Sequence, residues 1–188
     1  MTQVPQLQFG HIAIAVVDLD RMIDFYTGVL GYFITDRGVT RPGGPELVYM
    51  SRDPKDHHQV VLASGRPDGL PSQIAQLSFR VGSLAELRCM YEIVRHAQAP
   101  GIRTLAHGIA WSLYFQDPEE NTLETFVASP WYLPAPVAFP FDFDEMSDGE
   151  IFESTRAEVQ ARPDYKSFTD WQAGVSQAML DGGHWNGA

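Results

Sequence analysis

The stretch His11-Ile-Ala-Ile-Ala-Val16 decides the fold, because a related stretch, Gln76-Leu-Ser-Phe-Arg-Val81, follows it at an offset of 65 residues. The same residues stand at the same distances behind each copy: Leu19 and Tyr26 behind the first, Leu84 and Tyr91 behind the second. Further along, Val48-Tyr49-Met50 aligns with Leu113-Tyr114-Phe115 at the same offset. A self-match at one fixed period indicates a repeated structural unit. The chain therefore contains two copies of one module.

Each module predicts a strand, then a helix, then further strands. Asp18 and Ser83 stand where helix N-caps belong, and Ser83 forms a capping box with Glu86. Gly31 is the expected stop of the first helix. Later strands are predicted at 47–50, 59–63, 110–115 and 122–127. The predicted fold is α+β, with two tandem βαβββ modules over residues 1–129 that form a curled mixed sheet around one site.

The composition changes after Ser129. Residues 130–188 begin with a segment rich in proline and aromatic residues, and they continue into two predicted helices near 148–162 and 167–180. These residues are too aromatic for a solvated linker, since their large apolar side chains include Trp131, Phe139, Phe141, Phe143 and Trp171. We expect a helical C-terminal extension that packs on the core or on a second subunit. This expectation leads to a predicted homodimer or higher oligomer.

Charge and composition exclude several classes of function. The chain has 13 Lys and Arg against 24 Asp and Glu, a net charge of −11 that repels nucleic acids and anionic lipids. Apolar runs such as 12–17 are far shorter than the roughly 20 residues that cross a bilayer, and a signal-peptide pattern is missing. Cys89 is the single cysteine, so an internal disulfide is impossible. We predict a cytoplasmic protein without nucleic-acid or membrane partners.

Polar side chains share one face of the first strand in each module. Because side chains alternate along a strand, His11 lies on the same face as two alanines, which leave room beside the imidazole. In the second module Gln76, Ser78 and Arg80 occupy the corresponding face, opposite three apolar residues. A polar face thus occurs twice at the same position in the repeat.

Glu124 adds a carboxylate to this pattern. It stands inside a predicted apolar strand, and the offset maps it onto Gln59. The repeat therefore relates His11 to Gln76 and Gln59 to Glu124, and pseudo-twofold symmetry would bring these four side chains together as a metal site. Two plainer interpretations remain open: His11 and the glutamines form ordinary hydrogen bonds, or Glu124 pairs with Arg80.

These features resemble the vicinal oxygen chelate superfamily, which includes glyoxalase I, methylmalonyl-CoA epimerase and type I extradiol ring-cleavage dioxygenases. The resemblance covers about residues 7–128. It is carried by the repeated strands, Phe25-Tyr26, Leu30-Gly31, Asp56-His57-His58, His107-Gly108, Ser112-Leu-Tyr-Phe-Gln-Asp-Pro118, Asn121 and Glu124. The final segment is most similar to small, one-module type I extradiol dioxygenases.

The resemblance implies a metal centre. In such dioxygenases two histidines and one glutamate hold Fe(II) and leave positions for a catechol-like substrate and O₂. Carried over, the ligands are His11, Gln76 and Glu124, with Gln76 in place of the second histidine and Gln59 as a possible fourth ligand. An amide oxygen is a weaker donor than imidazole, so we expect loosely held metal, Fe(II) first and Mn(II) second. Glu120 also replaces the glycine usual in the Asp-Pro-x-Gly-Asn turn.

Acid–base residues follow from the same resemblance. His57 or His58, together with His107 and Tyr114, are the candidates for removing a catechol proton and for steering oxygen. Strand alternation favours His57, on the face of Gln59, whereas the paired histidines of the family favour His58, so the choice stays open. The plainer alternatives are an exposed turn at His57-His58 and a packing role for Tyr114.

The predicted function is a metal-dependent extradiol dioxygenase acting on a catechol-like aromatic, with a small aromatic substrate and O₂ as its reaction partners. One alternative is a glyoxalase- or epimerase-like metal enzyme that uses no O₂. Another is a metal-free protein of the same fold that binds an aromatic ligand. The sequence contains neither a glycine-rich phosphate loop nor a G-x-S-x-G nucleophile elbow, which argues against nucleotide-dependent and serine-hydrolase chemistry.

Overall fold

The computed structural model describes residues 8–72 and 74–181, which divide into two compact units. The first unit contains the chain up to Ala75 together with a turn, Asp117–Asn121. The second unit contains Gln76–Gln116 and the chain from Thr122 onward.

The first unit has the predicted βαβββ order. Its elements are β1 (Ile12–Val16), α1 (Leu19–Gly28), β2 (Phe33–Val39), β3 (Glu46–Ser51) and β4 (Val60–Ser64). The sheet order is β1-β4-β3-β2, with β1 parallel to β4 and the other pairs antiparallel. Met22 and Tyr26 of α1 are fully buried, as are Val16 of β1 and Leu62 of β4, so the apolar face of the helix closes the core of this unit.

The second unit repeats this topology. Its elements are β5 (Leu77–Arg80), α2 (Leu84–His96), β6 (Arg103–Ala106), β7 (Ala110–Gln116) and β8 (Thr122–Ala128). Here β5 pairs in parallel with β8, and β8, β7 and β6 follow one another in antiparallel. The strand order β5-β8-β7-β6 is the equivalent of β1-β4-β3-β2. The two βαβββ modules predicted from the offset are therefore confirmed.

The helix caps agree with the sequence in part. Asp18 and Ser83 are the N-caps of α1 and α2, as predicted. The predicted capping box is only half present, because the Glu86 carboxylate accepts from the N–H of Gly82 at 2.7 Å and not from Ser83. Gly31 adopts a φ of 70°, three residues after α1 ends at Gly28, so it reverses the chain beyond the helix end rather than at it.

The C-terminal extension belongs to the second unit. It adds β9 (Trp131–Tyr132), β10 (Phe139–Pro140), α3 (Asp148–Gln160), β11 (Lys166–Ser167) and α4 (Phe168–Leu180), so both predicted helices are confirmed. Strand β10 pairs with β6, which joins the extension to the sheet. The boundary predicted after residue 129 stays a prediction, and residues 182–188 lie outside the described residues.

Three of the five large aromatic residues named for the extension are buried within the chain itself, and the other two, Phe139 and Trp171, are half-buried. Trp131, Phe141 and Phe143 are 5%, 8% and 4% exposed, and the rings of Trp111 and Trp131 lie 5.6 Å apart. These side chains pack on their own module, which was the alternative to an intersubunit interface. The predicted homodimer therefore loses this support and stays a prediction. Among the described residues, no helix is long and apolar enough to span a membrane.

The turn Asp117–Asn121 is fixed by its carboxylates. Asp117 is 1% exposed and accepts hydrogen bonds from the side chain and backbone N–H of Asn121, at 2.6 and 3.0 Å. Glu119 accepts from the backbone N–H groups of Val17 and Asp18, each at 2.8 Å. Desolvation raises the pKa of Asp117, and the turn's N–H groups oppose that shift. The motif Asp-Pro-x-x-Asn thus has a structural role in the first unit.

Within that turn Glu120 carries a left-handed backbone, with a φ of 65°. This is the position where the sequence departs from the usual glycine, and a residue with a Cβ is strained there by about 1 kcal/mol. We expect Glu120→Gly to raise the free energy of unfolding by about 0.5–1 kcal/mol, as measured by urea denaturation. The matched control is Gly31→Ala, which places a Cβ at a φ of 70° and should lower it. A less stable Glu120→Gly protein would contradict the strain argument.

Candidate active site

The second unit holds a cavity of about 610 Å³. Most of its lining is apolar and comes from two places, the β6–β7 hairpin with β8, and the extension. The apolar lining residues are Ile109, Ala110, Phe126, Ala135, Pro136, Val137 and Ala138. The polar lining residues are Ser78, His107, Ser112, Tyr114 and Glu124. An apolar cavity with a few convergent polar groups is the usual form of a small-molecule site.

Strand pairing places Glu124 at the centre of the polar group. In the sheet register Glu124 of β8 stands opposite Ser78 of β5 on one side and Tyr114 of β7 on the other. Its Oε2 accepts hydrogen bonds from Gln76 Nε2 at 2.8 Å and from Ser78 Oγ at 2.6 Å. Glu124 is 8% exposed, so this carboxylate is held in one orientation at the cavity wall.

Among the described residues, the groups that donate hydrogen bonds to Glu124 are neutral. Gln76 and Ser78 donate hydrogen bonds without adding positive charge, and Arg80, the alternative ion-pair partner, lies over the Phe126 ring with its Cζ 5.2 Å from the centroid. A buried carboxylate is costly unless a cation or strong donors compensate it. The arrangement therefore suits a carboxylate that holds a cation.

His107 and Tyr114 form a second pair in the same cavity. The His107 Nε2 lies 2.8 Å from the Tyr114 hydroxyl, and its Nδ1 lies 2.7 Å from the Val137 carbonyl oxygen. Burial, together with the neighbouring Glu124 carboxylate, raises the pKa of Tyr114 to about 12. Tyr114 thus stays protonated at neutral pH and serves as a hydrogen-bond donor.

In the first unit the predicted histidines also come together. The rings of His11 and His58 lie 4.3 Å apart, centroid to centroid, and the Nδ1 atoms of His57 and His58 are 2.9 Å apart. His58 is half-buried, whereas His57 is exposed and has Tyr49 beside it. Burial lowers the pKa of His58, and the neighbouring His11 and His57 lower it further. Of the two candidates, His58 is the one packed against His11.

Gln59 is engaged in its own loop. Its Oε1 accepts from the backbone N–H of Arg52 at 3.0 Å, and its Nε2 donates to Asp56 at 3.1 Å. Both ends of the amide are therefore used to hold the segment that carries His57 and His58. This arrangement favours the plain hydrogen-bonding interpretation of Gln59 over a role as a fourth ligand.

The predicted ligands are distributed over both units. His11 belongs to the first unit, and Gln76 and Glu124 belong to the second. Within residues 8–72 and 74–181, no group of three or more His, Cys, Asp or Glu side chains forms a metal site. The predicted set contains only two residues of those types, because Gln76 stands in the place of a histidine. The ligand set remains a prediction.

Several cavity residues had escaped sequence reasoning. Ser112 belongs to a stretch that carries the resemblance but was not assigned to the site, Ile109 was not singled out, and the residues Ala135–Ala138 lie in the extension, beyond the repeat. Ser112 could have been found from strand alternation, because it shares a face of β7 with Tyr114. Nothing in the sequence points to the extension as a wall of the cavity.

Ser112 gives a stability prediction. It is fully buried, and its hydroxyl makes no hydrogen bond of normal geometry to another described residue. Because an unsatisfied buried hydroxyl is costly, we expect Ser112→Ala to leave the free energy of unfolding unchanged or to raise it by about 1 kcal/mol. Ser129→Ala is the control, because the Ser129 hydroxyl donates to the Gly108 carbonyl at 2.6 Å, and its loss should destabilise by about 1 kcal/mol. Equal losses in urea denaturation would contradict the prediction.

A comparison with protein families identifies the class. Residues 8–125 match the model of the Glyoxalase/Bleomycin resistance protein/Dioxygenase superfamily, and the chain belongs to this superfamily. Its members include dioxygenases and other enzymes and commonly depend on a divalent metal.

Two curated relatives narrow the comparison. Biphenyl-2,3-diol 1,2-dioxygenase 3 of Rhodococcus globerulus is 27% identical over 130 residues, which are 66% of this chain and 64% of the relative. Biphenyl-2,3-diol 1,2-dioxygenase 2 of the same organism is 26% identical over 130 residues, 66% of this chain and 63% of the relative. The chain thus spans somewhat less than two thirds of the length of these relatives.

Solved structures support the fold. A glyoxylase/bleomycin resistance protein/dioxygenase domain from Frankia sp. EAN1pec has a TM-score of 0.56 at 22% identity, covering 68% of this chain and 94% of that one. The fosfomycin resistance protein FosX of Listeria monocytogenes, complexed with Mn(II) and sulfate, has a TM-score of 0.51 at 13% identity, covering 68% of this chain and 95% of that one. At these identities the likeness concerns the fold.

Proposed function

We propose that the protein is a metal-dependent extradiol-type dioxygenase that acts on a catechol-like aromatic. The observation that carries the proposal is the grouping of Glu124, Tyr114 and His107 in one mostly apolar cavity. This grouping combines an anionic ligand, a phenolic donor and an imidazole where a small aromatic would fit. The two biphenyl-2,3-diol dioxygenases among the relatives support the same reaction class.

The donor set fits a divalent metal. We propose His11, Gln76 and Glu124 as the ligands, and the neutral partners of Glu124 leave its charge for a cation. Gln76 now donates to Glu124 through Nε2, so its amide oxygen is the atom that would bind the ion. Fe(II) is the proposed metal and Mn(II) the alternative. When bound, the metal would supply Lewis acidity and a site for the diol and O₂.

The residues of the chain supply the proton transfers. His107 accepts or returns a proton at Nε2, which faces the Tyr114 hydroxyl, and Tyr114 donates a hydrogen bond to developing negative charge. His58 is the proposed additional base, because it is packed against His11 and its pKa is lowered. A neutral imidazole is the form that can remove a proton from a catechol.

The lining favours an uncharged substrate. Its seven apolar residues contain aliphatic and aromatic groups only, and Lys and Arg are not among the described residues that line it. A carboxylated or phosphorylated substrate would leave an uncompensated charge there. We therefore propose a catechol bearing an apolar substituent.

Oxygen consumption tests the proposal. The full-length chain, reconstituted anaerobically with Fe(II), is given catechols with apolar, carboxylate and amine substituents, and O₂ uptake is followed with the ring-cleavage chromophore. We expect stoichiometric O₂ uptake with the apolar substrates only, and His107→Phe should reduce it about 100-fold or more. Bound metal without O₂ uptake would favour the glyoxalase- or epimerase-like alternative. Substrate binding without metal would favour the metal-free binding protein.

A further inference from the structure

We propose that the C-terminal extension contributes directly to this site. Its Val137 backbone carbonyl positions His107 and holds the imidazole in one tautomer. A catalytic role for this contact rests on the proposed function, whereas the tautomer of His107 can be measured without turnover. Val137 is a positioning residue, since it acts through His107 and the Tyr114 hydroxyl beyond it.

The hydrogen bonds determine where the proton of His107 resides. A carbonyl oxygen only accepts, so the 2.7 Å contact between Val137 and His107 requires hydrogen on Nδ1. In the neutral ring Nε2 then carries a lone pair, and this nitrogen lies 2.8 Å from the Tyr114 hydroxyl. The basic nitrogen of His107 is thereby turned toward the cavity. Free histidine prefers the opposite tautomer, with hydrogen on Nε2. The hydrogen bond to the Val137 carbonyl should therefore change the tautomer of His107 by a measurable amount.

The positioning segment is fastened on both sides of His107. Before Val137, the Ser129 hydroxyl donates to the Gly108 carbonyl at 2.6 Å, and a Cβ on Gly108 would come within 3.0 Å of Leu133. After Val137, strand β10 pairs with β6 immediately before His107, through Phe139 and Ala106. The carbonyl therefore has little freedom to leave the imidazole.

The same segment forms a wall of the cavity. Residues Ala135–Ala138 all line it, and they supply four of its seven apolar lining residues. The superfamily match ends at residue 125, so this wall and this carbonyl are additions outside the matched region. One short segment thus combines two tasks, closing the apolar part of the site and orienting its histidine.

Replacing one backbone atom tests the inference. Substituting Ala138 by its α-hydroxy acid converts the Val137–Ala138 amide to an ester, whose carbonyl is a weaker acceptor, and leaves every side chain in place. Histidine tautomers are read from ¹⁵N chemical shifts of the full-length chain after chelator treatment, with His107→Phe used for assignment. We expect hydrogen on Nδ1 in the wild type, a shift toward the Nε2 tautomer in the ester, and a kcat about tenfold lower at similar KM.

The control is the ester one residue earlier, with Val137 replaced by its hydroxy acid, which alters the Pro136 carbonyl instead. It should leave the His107 tautomer as in the wild type, because the Val137 carbonyl is unchanged. Wild-type His107 with hydrogen on Nε2 would overturn the inference, and so would an Ala138 ester that keeps both tautomer and kcat. If the ester variant fails to fold, the ¹⁵N spectrum of the wild type still shows which nitrogen of His107 carries the hydrogen. An Nδ1–H tautomer in a chain that consumes no O₂ would refute the proposed function and leave the positioning contact standing.

Discussion

Glu124→Ala is expected to abolish metal binding and to reduce turnover by about 1,000-fold or more, because a metal contributes several kcal/mol to catalysis. The substitution removes the only anionic group among the proposed ligands. It also leaves the Gln76 amide and the Ser78 hydroxyl without their acceptor, which should lower the free energy of unfolding by about 1–3 kcal/mol. Elemental analysis of the purified protein and circular dichroism measure the two effects separately.

Glu124→Gln is the matched variant. It retains the shape and one acceptor oxygen for Gln76 and Ser78, so it should fold nearly as well as the wild type while losing the metal. Loss of metal in both variants with a folded Glu124→Gln would assign the effect to charge. A Glu124→Ala protein that keeps one tightly bound Fe or Mn would remove Glu124 from the ligand set.

Gln76→His is expected to tighten metal binding about tenfold or more, corresponding to about 1.4 kcal/mol. Imidazole is a stronger donor than an amide oxygen, and histidine is the residue that the resemblance places at this position. Without metal the variant should be slightly less stable, since Gln76 Nε2 now donates to both Glu124 and Ser78. Competition with a metal-sensitive dye measures the affinity for Fe(II) and Mn(II).

The control for this prediction is Gln59→His, at a glutamine that already holds its own loop through Arg52 and Asp56. It should not raise the affinity. A wild type that binds one metal as tightly as Gln76→His would refute the argument for a weakened site. Metal in neither protein would remove the oxygen-chelate mechanism from this chain.

The repeat made the topology predictable. Matching residues at one offset imply matching elements, and two such modules are what the strand orders of both units show. The contact between Gln76 and Glu124 could also be predicted, because β5 and β8 pair in parallel and their polar side chains therefore lie on one face. The repeat therefore predicts the fold and, within the candidate site, the contact between Gln76 and Glu124.

Other features depend on contacts that no local pattern encodes. The sequence could not choose between His57 and His58, because the segment before β4 is a loop in which strand alternation has not yet begun. It could not reveal that the extension reaches His107, since the contact is made by a backbone carbonyl that any residue possesses. Likewise, the sequence could not show whether the Glu86 carboxylate accepts from the N–H of Ser83 or of Gly82, and in the structure it accepts from Gly82.

The parallel pairing of the first and last strand in each module has a consequence for biosynthesis. As the chain leaves the ribosome, β1 has no sheet partner until Val60–Ser64 has emerged, and β5, which follows Gln76, waits for β8, which carries Glu124. Long-range parallel pairing is among the slow steps of folding. In the second module β5 joins the sheet only through β8, so the Gln76–Glu124 contact forms at the edge that closes late. A nascent chain halted before residue 122 would leave β5 without its partner strand and the edge of the sheet unpaired.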